Sequence, residues 1–254
     1  MTPARVVLLT SDGVTGRIAA SRLVEAFPDL TVIVEQPISR LTLLRGRLRR
    51  LGAARVAGQL GFMLFQRVQQ RMAGRRIAEL VEAARFKTEW PRIAIVRVAS
   101  VNAPECVARL REAAPQAILV VGTRLIDRSV LAAIDVPFIN YHAGITPKYR
   151  GVHGGYWAKA EDDLANFGVT VHLVDAGIDT GAVLYQTRLK PAANDNYSTY
   201  PYLQLAAALP LLEQAARDAA AGTLKPQRVD LPSRAWSHPT LWSYLAAGLR
   251  RGAW

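Results

Sequence analysis

A mostly parallel α/β sheet, covered by helices on both faces, is the fold class that this sequence predicts, and three observations predict it. Short β-branched apolar runs recur along the first two thirds of the chain. Stretches with apolar residues at helical spacing lie between them. The runs are near-continuously apolar instead of alternating, as strands buried on both faces are.

The elements follow in order. Arg5–Thr10 opens as a strand, and Ile18–Phe27 follows as a helix. Thr31–Glu35 is the second strand. Leu41–Ala84 has helical periodicity but is too long for one crossover helix, so Gly46, Gly52, Gly58, Gly61 and Gly74 are expected to break it. Ile93–Val98, Ala117–Val121 and Phe138–Tyr141 are further strands, with a helix over Cys106–Ala113. From Gly168 the pattern changes. Val169–Val174 and Ala182–Leu189 flank a tight Asp-Ala-Gly-Ile-Asp-Thr-Gly turn and are expected to pair antiparallel. A helix from about Tyr202 to Ala221 and a tail rich in Trp, Pro and Arg close the sequence. The expected result is a Rossmann-like sheet: a main unit over residues 1–190, with a helical insertion at about 40–88, and a C-terminal helix and tail over 191–254 packed on it.

Half of the 254 residues are hydrophobic, enough for a real core, and the one cysteine, Cys106, excludes a disulfide framework or a multi-cysteine metal site. No apolar run is long enough to span a bilayer. The start, MTPARVVLLTSDG, enters a short apolar run and then turn residues, so it reads as a first strand and not a signal peptide. A cytoplasmic location is expected. The net charge of +12 is uneven, since residues 40–76 hold ten arginines and no Asp or Glu. Two readings stay open for Arg40–Arg76: a solvated helical face, or a recruitment surface for a polyanion, an acidic protein or a membrane surface.

Residues 138–181 carry the chemistry. Asn140 and His142 are two apart at a strand end, so their side chains share a face. Strand ends are also where open parallel sheets bind ligands. Asp179 lies in a glycine-flanked turn that can fold back over them. An amide that donates to an oxyanion, an imidazole that shares this role or shuttles protons, and a carboxylate that tunes the imidazole suit acyl transfer to an amine. No serine or cysteine nucleophile stands among them, and four scattered histidines make no metal site.

The string Asn140-x-His142-x-x-x-x-Pro147-x-x-Arg150-Gly151, followed by Asp175-x-Gly177-x-Asp179-Thr-Gly181, resembles the folate-dependent formyltransferases over roughly residues 94–190. That family acts on methionyl-tRNA, glycinamide ribonucleotide and amino sugars. The resemblance implies Asn140, His142 and Asp179 as the catalytic triad. It implies N10-formyltetrahydrofolate as co-substrate, held around Thr123, Arg124, Leu125 and Ile126 and by Asp175 to Asp179, with Gly177 between. Departures narrow the acceptor. Gly144-Ile145-Thr146 stands where many members have Ser-Leu-Leu, and Thr10–Gly16 fits neither the glycinamide ribonucleotide phosphate loop nor a dinucleotide fingerprint. About sixty residues follow Lys190, short of the extra β-barrel of the tRNA enzymes.

Formyl transfer to a small anionic amine, a nucleotide-linked amino sugar, is therefore the expected activity. Hydrolysis of the donor, formylation of methionyl-tRNA or glycinamide ribonucleotide, and a non-enzymatic polyanion-binding module are the alternatives. A homodimer and a peripheral membrane contact through Arg40–Arg76 stand among the partners considered. His153 and Tyr156, after the motif loop, are expected to line the acceptor pocket. His172 is read as structural, and His238 is given no role. The tail aromatics Trp236, Trp242, Tyr244 and Trp254 are expected to pack on the domain.

Overall fold

The computed structural model describes residues 4–254, and the Arg40 side chain, first of the arginine run, lies outside the described residues. Strand β1 (Val6–Ser11), helix α1 (Val14–Ala26) and strand β2 (Thr31–Glu35) open the fold. Three helices follow, α2 (Arg40–Leu51), α3 (Ala53–Met72) and α4 (Gly74–Ala83). Then come β3 (Ile95–Val98), α5 (Pro104–Ala113), β4 (Ala117–Val121), α6 (Arg128–Ala133) and β5 (Phe138–His142). The two-residue β6 (Arg150–Gly151) and α7 (Gly154–Ala160) lead into β7 (Gly168–Leu173) and β8 (Val183–Arg188). Helix α8 (Tyr200–Ala221), β9 (Ala235–Trp236) and α9 (Leu241–Arg251) complete the chain.

One sheet of seven strands runs β3-β2-β1-β4-β5-β7-β8. The first five are mutually parallel, while β7 pairs antiparallel with both β5 and β8. The chain steps outward from β1 to β3, then returns to β4 on the other side of β1. This reversal opens a crevice at the carboxyl ends of the central strands. The faces divide by the strand period: Val6 and Leu8 pack with α1 and α8, whereas Val7 and Leu9 pack with α5 and α6.

A third core is mainly aromatic. Phe62 of α3, Tyr156 of α7, Tyr197 and Tyr200 before and on α8, and Tyr244 of α9 form it. It binds the arginine-rich helices to the C-terminal tail. Of five expected glycine breaks, only Gly52 and Gly74 separate helices. Gly58 instead lets α9 approach α3, since a Cβ there would lie 2.2 Å from the Trp242 ring.

Candidate active site

A cleft of about 510 Å³ opens at the carboxyl ends of β4 and β5. Asn140 ends one wall because it is the third residue of β5 and pairs in register with His172 of β7. Asn140 Nδ2 donates to His172 Nε2 at 3.1 Å and to Asp179 Oδ1 at 3.3 Å. The His172 ring is fixed at its other nitrogen, 2.8 Å from the Leu173 carbonyl. A carbonyl only accepts, so Nδ1 carries the proton and Nε2 is left as the acceptor for the amide. His172, read from sequence as structural, thus lines the cleft and orients Asn140.

Asp179 closes the cluster from the turn between β7 and β8. Its backbone sits in the left-handed region (φ 50°), sparsely populated for a non-glycine residue and a form of strain that clusters at functional sites. Three contacts hold it there. The Gly151 amide donates to Oδ2 at 2.8 Å, Arg150 Nη1 donates to the Ile178 carbonyl at 2.9 Å, and His142 Nδ1 stands 3.3 Å from Oδ2. Gly151 itself has φ 92°, and a Cβ there would strike the Trp236 carbonyl at 2.2 Å. Only glycine brings this N–H to the carboxylate. Burial works to raise the Asp179 pKa, but the attraction of a protonated His142 and the Gly151 N–H outweigh it and hold the carboxyl at about 2.

His142 lies behind Asp179 and does not reach the cleft wall. Its Nε2 is 2.6 Å from the Tyr149 carbonyl and must donate to it. Nδ1 therefore faces the carboxylate without a proton when the ring is neutral. Burial lowers the His142 pKa, with Asp179 and the Tyr149 carbonyl opposing that shift. Asp179 pulls this pKa upward, as the sequence reading has it, but burial of the ring outweighs the pull. A proton arriving on Nδ1 turns two facing acceptors into a hydrogen bond.

Thr123, Arg124, Leu125 and Ile126 line the cleft, as do Asp175 and Gly177. Asp175 shapes its loop: Oδ1 accepts from the Gly177 N–H at 3.0 Å and from Thr180 Oγ1 at 2.6 Å. Glu35, not found from sequence, fixes the other loop. It is 4% exposed, accepts from the Arg124 N–H at 2.7 Å, and pairs with Arg124 Nε at 2.6 Å. An acid ending the otherwise apolar strand Thr31–Glu35 was the available signal.

Two acceptor-pocket expectations are corrected. Tyr156 is sealed in the aromatic core at 1% exposure, because α7 turns that face toward Tyr197 and Tyr244. His153 also does not line the cleft; its Nε2 meets His238 Nδ1 at 3.1 Å, and it is His238 that reaches the wall. Burial lowers both, His153 to about 3 and His238, also near Arg47, to about 4. The neighbouring wall comes from the arginine-rich helices and the tail. Arg47, Arg50 and Gln59 line it with Trp236 and Ser237. Gln59 Nε2 donates to the His238 carbonyl at 3.0 Å, and Arg55 Nη2 to Ser237 Oγ at 3.1 Å. Trp236 stacks on Trp157 with centroids 4.4 Å apart.

No group of three metal-ligating side chains occurs among the described residues. Ser237, the serine on the wall, is hydrogen-bonded through its oxygen to Arg55 and has no imidazole or carboxylate partner among them. An amide, a carboxylate backed by a buried imidazole and a histidine on the cleft wall are groups of the kind that assist transfer by hydrogen bonds and proton movement.

Comparison with known proteins agrees. A family model described as formyl transferase matches residues 65–203, more than half of the chain, and the chain belongs to that family. The match begins within α3, so part of the segment read as an insertion falls inside it. The methionyl-tRNA formyltransferase of Koribacter versatilis (strain Ellin345) is 39% identical over 118 residues, 46% of this chain and 38% of that protein. The chain spans less than half the length of the curated relatives it matches. A sugar N-formyltransferase from Shewanella sp. FDAARGOS_354 superimposes with TM-score 0.56 at 15% identity, over 91% of this chain and 75% of that one. Phosphoribosylglycinamide formyltransferase from Anaplasma phagocytophilum gives 0.56 at 16% identity, over 87% and 88%. At these identities the structures share the fold.

Proposed function

We propose that the chain transfers the formyl group of N10-formyltetrahydrofolate to the primary amine of an anionic acceptor, a nucleotide-linked amino sugar. The observation that carries this is the Asn140–Asp179–His172 constellation on the cleft wall, with His142 behind it, in a chain of the formyl transferase family.

The donor fits between the Thr123–Ile126 and Asp175–Asp179 loops. Leu125, Ile126, Val174 and Ile178 offer it apolar wall. The amine nitrogen attacks the formyl carbon, whose oxygen becomes an oxyanion. Asn140 Nδ2–H stabilises that oxygen by releasing its longer bond, the 3.3 Å contact to Asp179. The amine's proton passes to the Asp179–His142 pair, whose Nδ1 position stands ready for it. Collapse breaks the bond from the formyl carbon to N10, and N10 takes the proton back. His142 acts through Asp179 in this scheme as a positioning and proton-holding residue; Asn140 and Asp179 are the catalytic pair.

The anionic acceptor is supported by charge. Arg47 and Arg50 line the same cleft, and neither has a carboxylate partner among the described residues. Arginine suits phosphate. Gln59 is 2% exposed with Oε1 lacking a partner, which leaves one buried acceptor for a donor group of the substrate. A panel of amines tests the proposal: nucleotide-linked amino sugars, glycinamide ribonucleotide and methionyl-tRNA, each incubated with one formyl donor and followed by mass spectrometry. Formylation of the sugar class supports the reading. Transfer only to methionyl-tRNA or glycinamide ribonucleotide overturns the acceptor, and formate release without any amine overturns transfer itself.

A further inference from the structure

Helix α3 has two faces with opposite chemistry. Its inward face carries Gln59, which donates to the His238 carbonyl of the tail, and Phe62, buried in the aromatic core. Its outward face carries Leu60, Leu64, Val68 and Met72 at steps of four, which place them along one slowly turning strip. Solvated helical faces are polar. This one is not: Leu64 is 62% exposed, Val68 56% and Met72 82%. Phe65 and Met63 extend the strip, and on α9 Leu249 is 80% exposed.

Cations border the apolar strip. Arg67 and Arg71 stand on α3 one position before Val68 and Met72, and Arg45 and Arg49 are exposed on α2. None of these four meets a carboxylate within ion-pair distance among the described residues, and residues 40–76 contain no acid at all. The patch therefore joins exposed aliphatic side chains to unpaired arginines over a helix of 20 residues, about 30 Å long.

We infer that the outer face of α3 is an interfacial membrane-binding surface that lies on anionic bilayers, with its aliphatic strip in the acyl boundary and its arginines among the headgroups. The pairing of a large apolar face with flanking cations is what binds that interface. Two other occupants fit less well. A second copy of this chain would bring two uncompensated arginine clusters together. A nucleic acid would engage the arginines but has no use for Leu60, Leu64, Val68 and Met72, since bases stack on aromatic or guanidinium planes. The chain has no helix long and apolar enough to cross a membrane among the described residues, so the contact is peripheral.

Sedimentation of the full chain with vesicles tests this surface. Phosphatidylcholine mixed in equal parts with phosphatidylglycerol should pull the protein down, and phosphatidylcholine alone should not. Leu64→Glu with Val68→Glu should abolish binding, while Arg67→Ser with Arg71→Ser should weaken it about 25-fold, at roughly five-fold per basic residue. Both variants should keep the wild-type circular dichroism spectrum and melting temperature, because these side chains are exposed. Vesicle binding unchanged in the Leu64→Glu, Val68→Glu variant overturns the inference. So does a concentration-dependent dimer in gel filtration that this variant dissociates, which would assign the strip to a second copy. Binding to RNA but not to anionic vesicles also overturns it.

Discussion

Acid should unfold this protein from a definite place, the His153–His238 pair beside the cleft wall. Both rings are held neutral by burial, with pKa values of about 3 and about 4. In the unfolded chain each returns to ~6.5. A group whose pKa is depressed on folding favours the native state above its unfolded value and loses that advantage as pH falls, because the unfolded state binds the proton first. At pH 5 each ring has given up ~1.5 pH units of this advantage, about 2 kcal/mol at 1.36 kcal/mol per unit. Together they remove about 4 kcal/mol of a total that is typically 5–15 kcal/mol. His142, also depressed by burial, adds a loss of the same sign. Urea denaturation at pH 7, 6 and 5 measures the slope, and a melting temperature lower by ~8–16 °C at pH 5 should accompany it. His238→Asn removes one of the two titrating rings and should recover about 2 kcal/mol of the difference. Stability that is flat between pH 7 and 5, or equal slopes in wild type and variant, would refute the reasoning.

Other outcomes follow from the same structure. Phe62→Ala should cost about 3–5 kcal/mol, because the ring is buried between Tyr197 and Tyr244 and ties α3 to the tail; thermal unfolding measures it. Glu35→Gln weakens the clamp on the Arg124 loop and should raise the Kd of the folate donor in calorimetry, with acceptor affinity unchanged. Arg47→Glu with Arg50→Glu should raise the acceptor KM and leave donor binding alone, and salt should weaken wild-type acceptor binding in parallel, being screened over ~10 Å at 0.1 M. An unchanged KM would remove both arginines from the acceptor site.

Much of the fold was legible because its signals are local. Apolar runs such as Val6–Leu9 and Ala117–Val121 are buried on both faces, and such strands declare themselves in sequence. The change of pattern at Gly168 marked where the sheet becomes antiparallel. Asn140, His142 and Asp179, which lie together in the structure, could be grouped from sequence because two lie on one strand and the third in a glycine-flanked turn. What escaped was set by long-range contact. His172 reads as a strand residue until register sets it opposite Asn140. Tyr156 reads as exposed after a glycine-rich loop, yet α9 arrives from the far end of the chain to bury it. His238 and Gln59, 179 residues apart, meet only through the aromatic core. Gly58 and Gly61, which resemble helix breakers, stay helical where α9 packs closely.

The central claim is that this cleft moves a formyl group through Asn140 and Asp179. Its most direct measurement is single-turnover transfer from N10-formyltetrahydrofolate to the acceptor, comparing wild type with Asn140→Ala at saturating donor. Loss of the one oxyanion donor should slow the step by on the order of 10²–10³, with donor affinity and melting temperature close to wild type. Transfer at the wild-type rate by Asn140→Ala would contradict the account.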